Sequence, residues 1–452
     1  MGKLSVNQDN RTFLCDGKPF FWLADTLWSL FTNMTDQEID SYLTLRKQQG
    51  YNVLQINILP QWDRCWVKAP YMPFELKEDG VFEYEKPMKQ EYFDNASRIL
   101  DKVVSYGFIP ALVVLWSNYV PGNWASRING VNVMPKDMIV PYCEKVFESF
   151  DQYDPVYIIS GDTDFDKEEC CEYYQIAMNK MTELSPTTLK TLHIKGRYTY
   201  LPDGLVDKMD FYMYQSGHNG VHLDKCYTMP EEMLSRYPAK PLLNAEPCYE
   251  QMGYSGNKYG RFNQKDIRRA AWMSVLSGAG AGITYGAHGV WNWQKLNMPV
   301  NPNAGEGFDA AKPCTEALQF PGAWDYGYLK DIVTRYGALL PDDKIGNVTK
   351  GFERVTDEAG EVQMISVSNP NPEIKMASTA DGKASLIYAP FNTKIIVRED
   401  LSHASIKVID LVSKNIASPV VEVEEGVSYI QMCPFDEDVL VVIERSTGIR
   451  RP

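Results

Sequence analysis

The chain has 452 residues, 44% of them hydrophobic and 23% charged, with 45 Lys and Arg against 59 Asp and Glu. That length exceeds one compact domain of ordinary size, and that composition buries a large core, which excludes a disordered chain. A net charge of −14 repels phosphate backbones and anionic lipid surfaces, so neither nucleic acid nor a membrane is an expected partner.

Residues 1–14 lack a basic segment followed by an apolar one, and no apolar run approaches the length of a membrane span. The nine cysteines are odd in number and form no Cys-x-x-Cys pair, which fits reduced thiols and a cytoplasmic protein. The histidines, at 193, 218, 222, 288 and 403, lack the spacing of a zinc site, so no metal and no cofactor is expected.

In chain order, short runs rich in β-branched and aromatic residues alternate with stretches of helical periodicity, the mark of βαβ units on a parallel sheet. Phe20–Trp28 is the first strand, followed by a helix at Asp36–Gln49 behind the capping residue Thr35. Tyr51–Leu59 is the second strand, Gln90–Tyr106 the next helix, and Ile109–Trp116 the third strand. Val156–Ser160, Leu189–Ile194, Asp210–Tyr214 and Pro241–Ala245 continue the series. A helix at Lys265–Leu276, ended by the glycines of 278–282, precedes the eighth strand, Gly282–Ala287.

Eight such strands predict an α/β fold, a closed (β/α)₈ TIM barrel over 1–340 with a short N-terminal β segment. After Leu340 the turn cluster Pro341-Asp342-Asp343 leads into alternating runs at Val362–Val367, Lys394–Val397, Ile406–Leu411 and Val439–Ile443. These predict a small all-β sandwich over 341–452.

In such a barrel the chemistry sits at the carboxyl ends of the strands. The seventh strand runs directly into Glu246, and the fourth runs through Gly161, which lets the chain bend, into Asp162. Two carboxylates facing across the mouth suit retaining glycoside hydrolysis: one attacks the sugar carbon while the other protonates the leaving oxygen. The competing reading makes them helix caps or ion-pair partners. Asp164 rivals Asp162, two residues along on the same face, and Glu250 is a weaker rival to Glu246.

Trp28, Trp62, Trp116, Trp291 and Trp293 all follow strands, and five of ten tryptophans in one place favours a sugar site over mere closure of the barrel top. Asp25, Gln215, His218 and His288 are candidates for hydrogen bonds to sugar hydroxyls.

The segment Phe21-Trp22-Leu23-Ala24-Asp25-Thr26-Leu27-Trp28 resembles the opening strand of the apiosidase-like glycoside hydrolases. So do Gln215-Ser216-Gly217-His218, Glu246-Pro247 with Tyr249-Glu250, and Tyr285-Gly286-Ala287 leading to Trp291, and together they span nearly the whole chain. The resemblance implies a barrel with a C-terminal β-domain and removal of a terminal sugar from pectic oligosaccharides, with Glu246 as nucleophile and Asp162 as acid/base. The family commonly shows Gly-Gly-Asp where this chain has Ser160-Gly161-Asp162, which keeps Asp164 in contention.

The expected substrate-binding set is Asp25, Trp28, Trp62, Trp116, Asp164, Gln215, His218, Tyr249, His288 and Trp291. The expected partner is an oligosaccharide; oligomeric state stays open. The alternatives are another exo-glycosidase specificity on the same barrel, or a carbohydrate-binding barrel without catalysis, whose mark would be an amide or alanine at one of the two acids.

Overall fold

The structure is a computed structural model that describes residues 2–60, 69–78, 80–255, 258–296 and 309–445. The chain divides into two compact units, Met1–Val275 with Ala279–Arg335, and Leu276–Gly278 with Tyr336–Pro452.

The first unit opens with an antiparallel meander of β1 (Leu4–Val6), β2 (Phe13–Cys15) and β3 (Lys18–Phe20). Asp16 and Gly17, both at positive φ, make the two-residue turn that pairs Cys15 with Lys18. The predicted first strand is therefore split, since Phe20 ends the meander and only β4 (Trp22–Thr26) joins the barrel.

The other barrel strands are β5 (Val53–Asn57), β6 (Ile109–Trp116), β7 (Val156–Gly161), β8 (Lys190–Thr191), β9 (Tyr212–Tyr214), β10 (Leu242–Asn244) and β11 (Gly282–Tyr285). They form one parallel sheet in the order β8-β7-β6-β5-β4-β11-β10-β9. Its two ends are joined where the Asp210 amide donates to the Lys190 carbonyl at 2.8 Å and the Thr191 hydroxyl donates to the Phe211 carbonyl at 2.7 Å. Each of the eight strands overlaps one of the eight predicted runs, and the helices Asp36–Gln48, Gln90–Ser105 and Gln264–Leu276 lie where periodicity put them. Thr35 and Glu38 form the capping box of the first of these.

Period-two alternation sorts the strand residues. Gln55 points into the barrel, donating to the Ala245 carbonyl at 3.1 Å and accepting from the Thr284 hydroxyl at 3.1 Å. Trp22 packs at the amino end of β4 against Phe13 and Phe211, with ring centroids 6.2 and 5.8 Å away, so the meander covers that end.

Asp25 falls on the opposite face, toward the helices. It accepts from Arg46 Nε at 2.5 Å and from the Tyr42 hydroxyl at 2.7 Å, all three fully buried. The Arg46 guanidinium also lies 5.3 to 5.4 Å from the ring centres of Tyr42, Tyr51 and Tyr285.

In the second unit, β12 (Leu339–Asp342), β15 (Lys375–Thr379), β16 (Ala384–Ala389), β22 (Val439–Arg445), β18 (Ala404–Asp410) and β19 (Ile416–Ala417) form a six-stranded sheet. β17 (Ile395–Val397), β21 (Val427–Ile430) and β20 (Val421–Glu424) form a second sheet, and β13 (Val348–Thr356) pairs with β14 (Val362–Pro370). Ile387, Val408 and Val441 of the first sheet share a core with Ile395, Val397 and Ile430 of the second, which is the packing of a sandwich. No described helix is long and apolar enough to cross a membrane.

Removing one partner of the buried Asp25–Arg46 pair strands the other charge. Asp25→Ala is expected to lose about 3–5 kcal/mol of unfolding free energy in a urea titration. A loss under about 1 kcal/mol would mean that the pair does not hold the first helix to the barrel.

Candidate active site

Glu246 stands just past β10 and is 7% exposed. Its Oε1 is bonded to Nε2 of His218 at 2.9 Å. Its Oε2 lies 3.3 Å from Nε2 of His193.

Both imidazoles are fixed from behind. The Asp162 amide donates to Nδ1 of His193 at 3.1 Å, and the Tyr249 amide donates to Nδ1 of His218 at 3.2 Å. A nitrogen that accepts an N–H carries no proton, so each ring presents its Nε2–H to the carboxylate. Burial alone would push the Glu246 carboxyl up, but the Nε2–H groups of His193 and His218 directed at it outweigh burial and hold the carboxyl well below the usual range. Glu246 is therefore a buried carboxylate that stays ionised, one oxygen on each imidazole.

Asp162 follows β7 with φ 46°, in the left-handed region. Besides the amide bond to His193, its carbonyl accepts from Trp124 Nε1 at 2.7 Å, so the turn is held on both sides. Sequence reasoning gave the bend to Gly161, but Asp162 takes it. Glycine is needed at 161 for another reason: a Cβ there would meet the Trp116 ring at 2.2 Å. Asp162 is half-buried.

Asp164 is fully buried, 3.1 Å from Lys195 Nζ and 3.7 Å from Arg127 Nη2, so its charge has two cationic partners.

Aromatic rings wall this carboxylate. Trp116 stacks on His193 at 6.1 Å and 29°, and Trp28 meets His193 edge-on at 5.8 Å and Trp116 at 5.2 Å. Trp28 Nε1 donates to the Tyr249 hydroxyl at 3.1 Å, and the Tyr249 ring lies 4.5 Å from His218 and 6.5 Å from Trp291. Burial and then the Glu246 charge raise the Tyr249 hydroxyl. Tyr249 in turn needs Gly286, where a Cβ would stand 2.1 Å from its ring.

The structure thus brings Glu246, Asp162, His218, Trp28, Trp116, Tyr249 and Trp291 into one chain of contacts. Gln215 is buried with its Oε1 unpaired, and its carbonyl accepts from the Arg197 amide at 2.8 Å. His288 is buried, its Nδ1 3.4 Å from the Gln251 carbonyl. Trp62 lies outside the described residues.

Asp25 is drawn away, because alternation along β4 turns it to Arg46 rather than to the barrel mouth. Glu250 is drawn away too: it accepts from the Tyr285 hydroxyl at 2.7 Å and the Gly322 amide at 2.9 Å, capping helix Gly322–Tyr336. Burial raises its carboxyl to about 7.

His193 and Trp124 escaped the sequence reading. The histidines were weighed only for metal spacing, yet the barrel-face rule applied to the fifth strand would have marked His193. Nothing in the sequence marks Trp124, which reaches Asp162 from another loop.

A family model described as the apiosidase-like catalytic domain matches residues 7–339. The chain belongs to the apiosidase-like family. It is thereby a glycoside hydrolase, with the barrel fold of solved relatives. A structure described as a glycoside hydrolase is 21% identical, covers 99% of this chain and 98% of its own, and superposes with a TM-score of 0.76. A family 5 glycoside hydrolase from Bacteroides vulgatus is 20% identical over 99% of this chain and 94% of its own, with a TM-score of 0.75. A third, a putative glycoside hydrolase from the same organism, is 14% identical over 98% and 82%, with a TM-score of 0.68. No curated protein matches the chain.

Because His218 is one of two groups holding Glu246 ionised, His218→Ala is expected to raise the Glu246 pKa by about one unit or more. A ¹³C titration of the carboxyl, assigned by its loss in Glu246→Gln, checks this. A depressed carboxylate stabilises the fold above its unfolded pKa and loses that stabilisation on acidification, so the variant should also show a smaller acid-induced loss of stability. An unmoved titration would remove His218 from the electrostatics of the site.

Proposed function

We propose that the chain is a retaining glycosidase that removes a terminal sugar from pectic oligosaccharides by double displacement. The observation that carries this reading is the state of Glu246: buried, held ionised, anchored through Oε1 to His218 and with Oε2 3.3 Å from His193 Nε2. A nucleophile needs a charged oxygen on a carboxylate that is held in one orientation.

In this mechanism Oε2 of Glu246 attacks the anomeric carbon as the bond to the leaving oxygen breaks, and Asp162 gives that oxygen its proton. Asp162 then takes a proton from water, whose oxygen displaces Glu246 and releases the sugar. Asp162 is favoured over Asp164 because it is only half-buried, whereas Asp164 is fully buried between Lys195 and Arg127. Trp28, Trp116, Tyr249 and Trp291 offer ring faces to the C–H faces of the sugar. No cofactor takes part. The pectic substrate is read from the family resemblance.

The test separates the two acids. Glu246→Gln is expected to abolish turnover of aryl glycosides and pectic oligosaccharides alike, by about 10⁴-fold or more. Asp162→Ala is expected to fall about 10²–10⁴-fold where the leaving group needs a proton and little where it is an activated nitrophenol. Azide should then restore turnover of Asp162→Ala, giving a glycosyl azide that keeps the substrate's anomeric configuration. Retained activity in Glu246→Gln, or the leaving-group pattern appearing in Asp164→Ala instead, would reject the assignment.

A further inference from the structure

The structure assigns to Asn57 a role as a sugar-recognition residue, its carboxamide taking hydroxyls of the ring on which Glu246 acts; this rests on the glycosidase reading above. Asn57 is the last residue of β5 and only 2% exposed, yet neither its Oδ1 nor its Nδ2 bonds to any protein group among the described residues. Burying an unpaired amide is costly, so a buried amide with both ends free marks either a defect or a place kept for a ligand.

Position decides between the two. Gln55, two residues earlier on the same strand, points into the barrel and bonds the Ala245 carbonyl, the residue next to Glu246. Alternation therefore turns Asn57 inward as well, one layer nearer the carboxyl mouth, the level at which Glu246 leaves β10. The backbone agrees, since the Asn57 amide donates to the carbonyl of Trp28, whose ring belongs to the aromatic wall.

The chemistry fits a sugar better than any other small ligand. A carboxamide offers an acceptor and a two-proton donor side by side, and neighbouring ring hydroxyls, each both donor and acceptor, meet both at once without a charge. Asn118, two residues past Trp116 at the end of β6, is likewise buried with both amide atoms unpaired. Neither residue stands out in the sequence, because asparagine at a strand end reads first as a turn former.

Asn57→Leu keeps the approximate volume and removes both polar atoms. The probes are the nitrophenyl glycoside that the wild-type chain hydrolyses fastest and its singly deoxygenated analogues, with the free monosaccharide titrated calorimetrically into Glu246→Gln. The expected result is a fall in kcat/KM of about 100-fold and loss of monosaccharide binding, with Tm unchanged or raised, since an unpaired polar group has been removed. Deoxygenation at the hydroxyl that Asn57 holds should weaken the wild type but not Asn57→Leu. Asn57→Asp, which keeps an acceptor and loses the donor, should fall between them.

A kcat/KM within about threefold of wild type, or an equal response of both chains to every deoxy analogue, overturns the assignment while leaving the glycosidase reading intact. A Tm several degrees lower for Asn57→Leu also overturns it, because the amide would then be structural. If the wild-type chain hydrolyses none of the glycosides and Glu246→Gln binds none of the sugars, the assignment falls together with the glycosidase reading.

Discussion

An ionised carboxylate buried at the mouth of a barrel is the constraint around which this site is arranged. Without partners, desolvation would drive Glu246 to its neutral form. Two imidazoles prevent that, and each is held in the donating tautomer by a backbone amide. The four segments involved follow β7, β8, β9 and β10, so the loops after four successive strands are tied to one another through a single carboxylate. The Asp162 turn belongs to the same network, since the amide that sets the His193 tautomer is its own. Charge state, ring orientation and loop position are therefore one coupled property.

Close packing supports the network where side chains could not fit. Gly161 leaves room for Trp116, and Gly286 leaves room for Tyr249. These rings press on His193 and His218 and keep water from the carboxylate, which strengthens every electrostatic contact inside. A methyl group at either glycine would displace an aromatic ring that orients an imidazole, and through it the carboxylate.

The barrel was legible in the sequence because it is written in a local signal. Eight apolar runs at strand length, alternating with amphipathic stretches, determine both strand number and class, and the capping box at Thr35 set one helix start to the residue. Glu246 and Asp162 were visible by the same logic, standing just past buried strands. What stayed hidden depends on pairs far apart in the chain. The tautomer of His193 is set by an amide 31 residues away, and that of His218 by one equally distant. The bend at Asp162 rather than Gly161 follows from where a tryptophan ring has to lie, which no local propensity encodes.

The acids show most clearly where sequence reasoning stops. Asp25, Asp162, Glu246 and Glu250 all stand at or just past the ends of barrel strands, and composition cannot rank them. Alternation separates the first, because a one-residue step turns Asp25 to the helix layer, where Arg46 neutralises it. Neighbours separate the last: Glu250 meets a hydroxyl and a helix amide, and burial lifts its carboxyl toward neutrality, whereas Glu246 meets two imidazole donors and stays charged. Four residues apart in sequence, these two glutamates have opposite electrostatic fates. The difference arises from what the eight strands and their loops bring to each: imidazole N–H groups to Glu246, a phenol and a helix amide to Glu250.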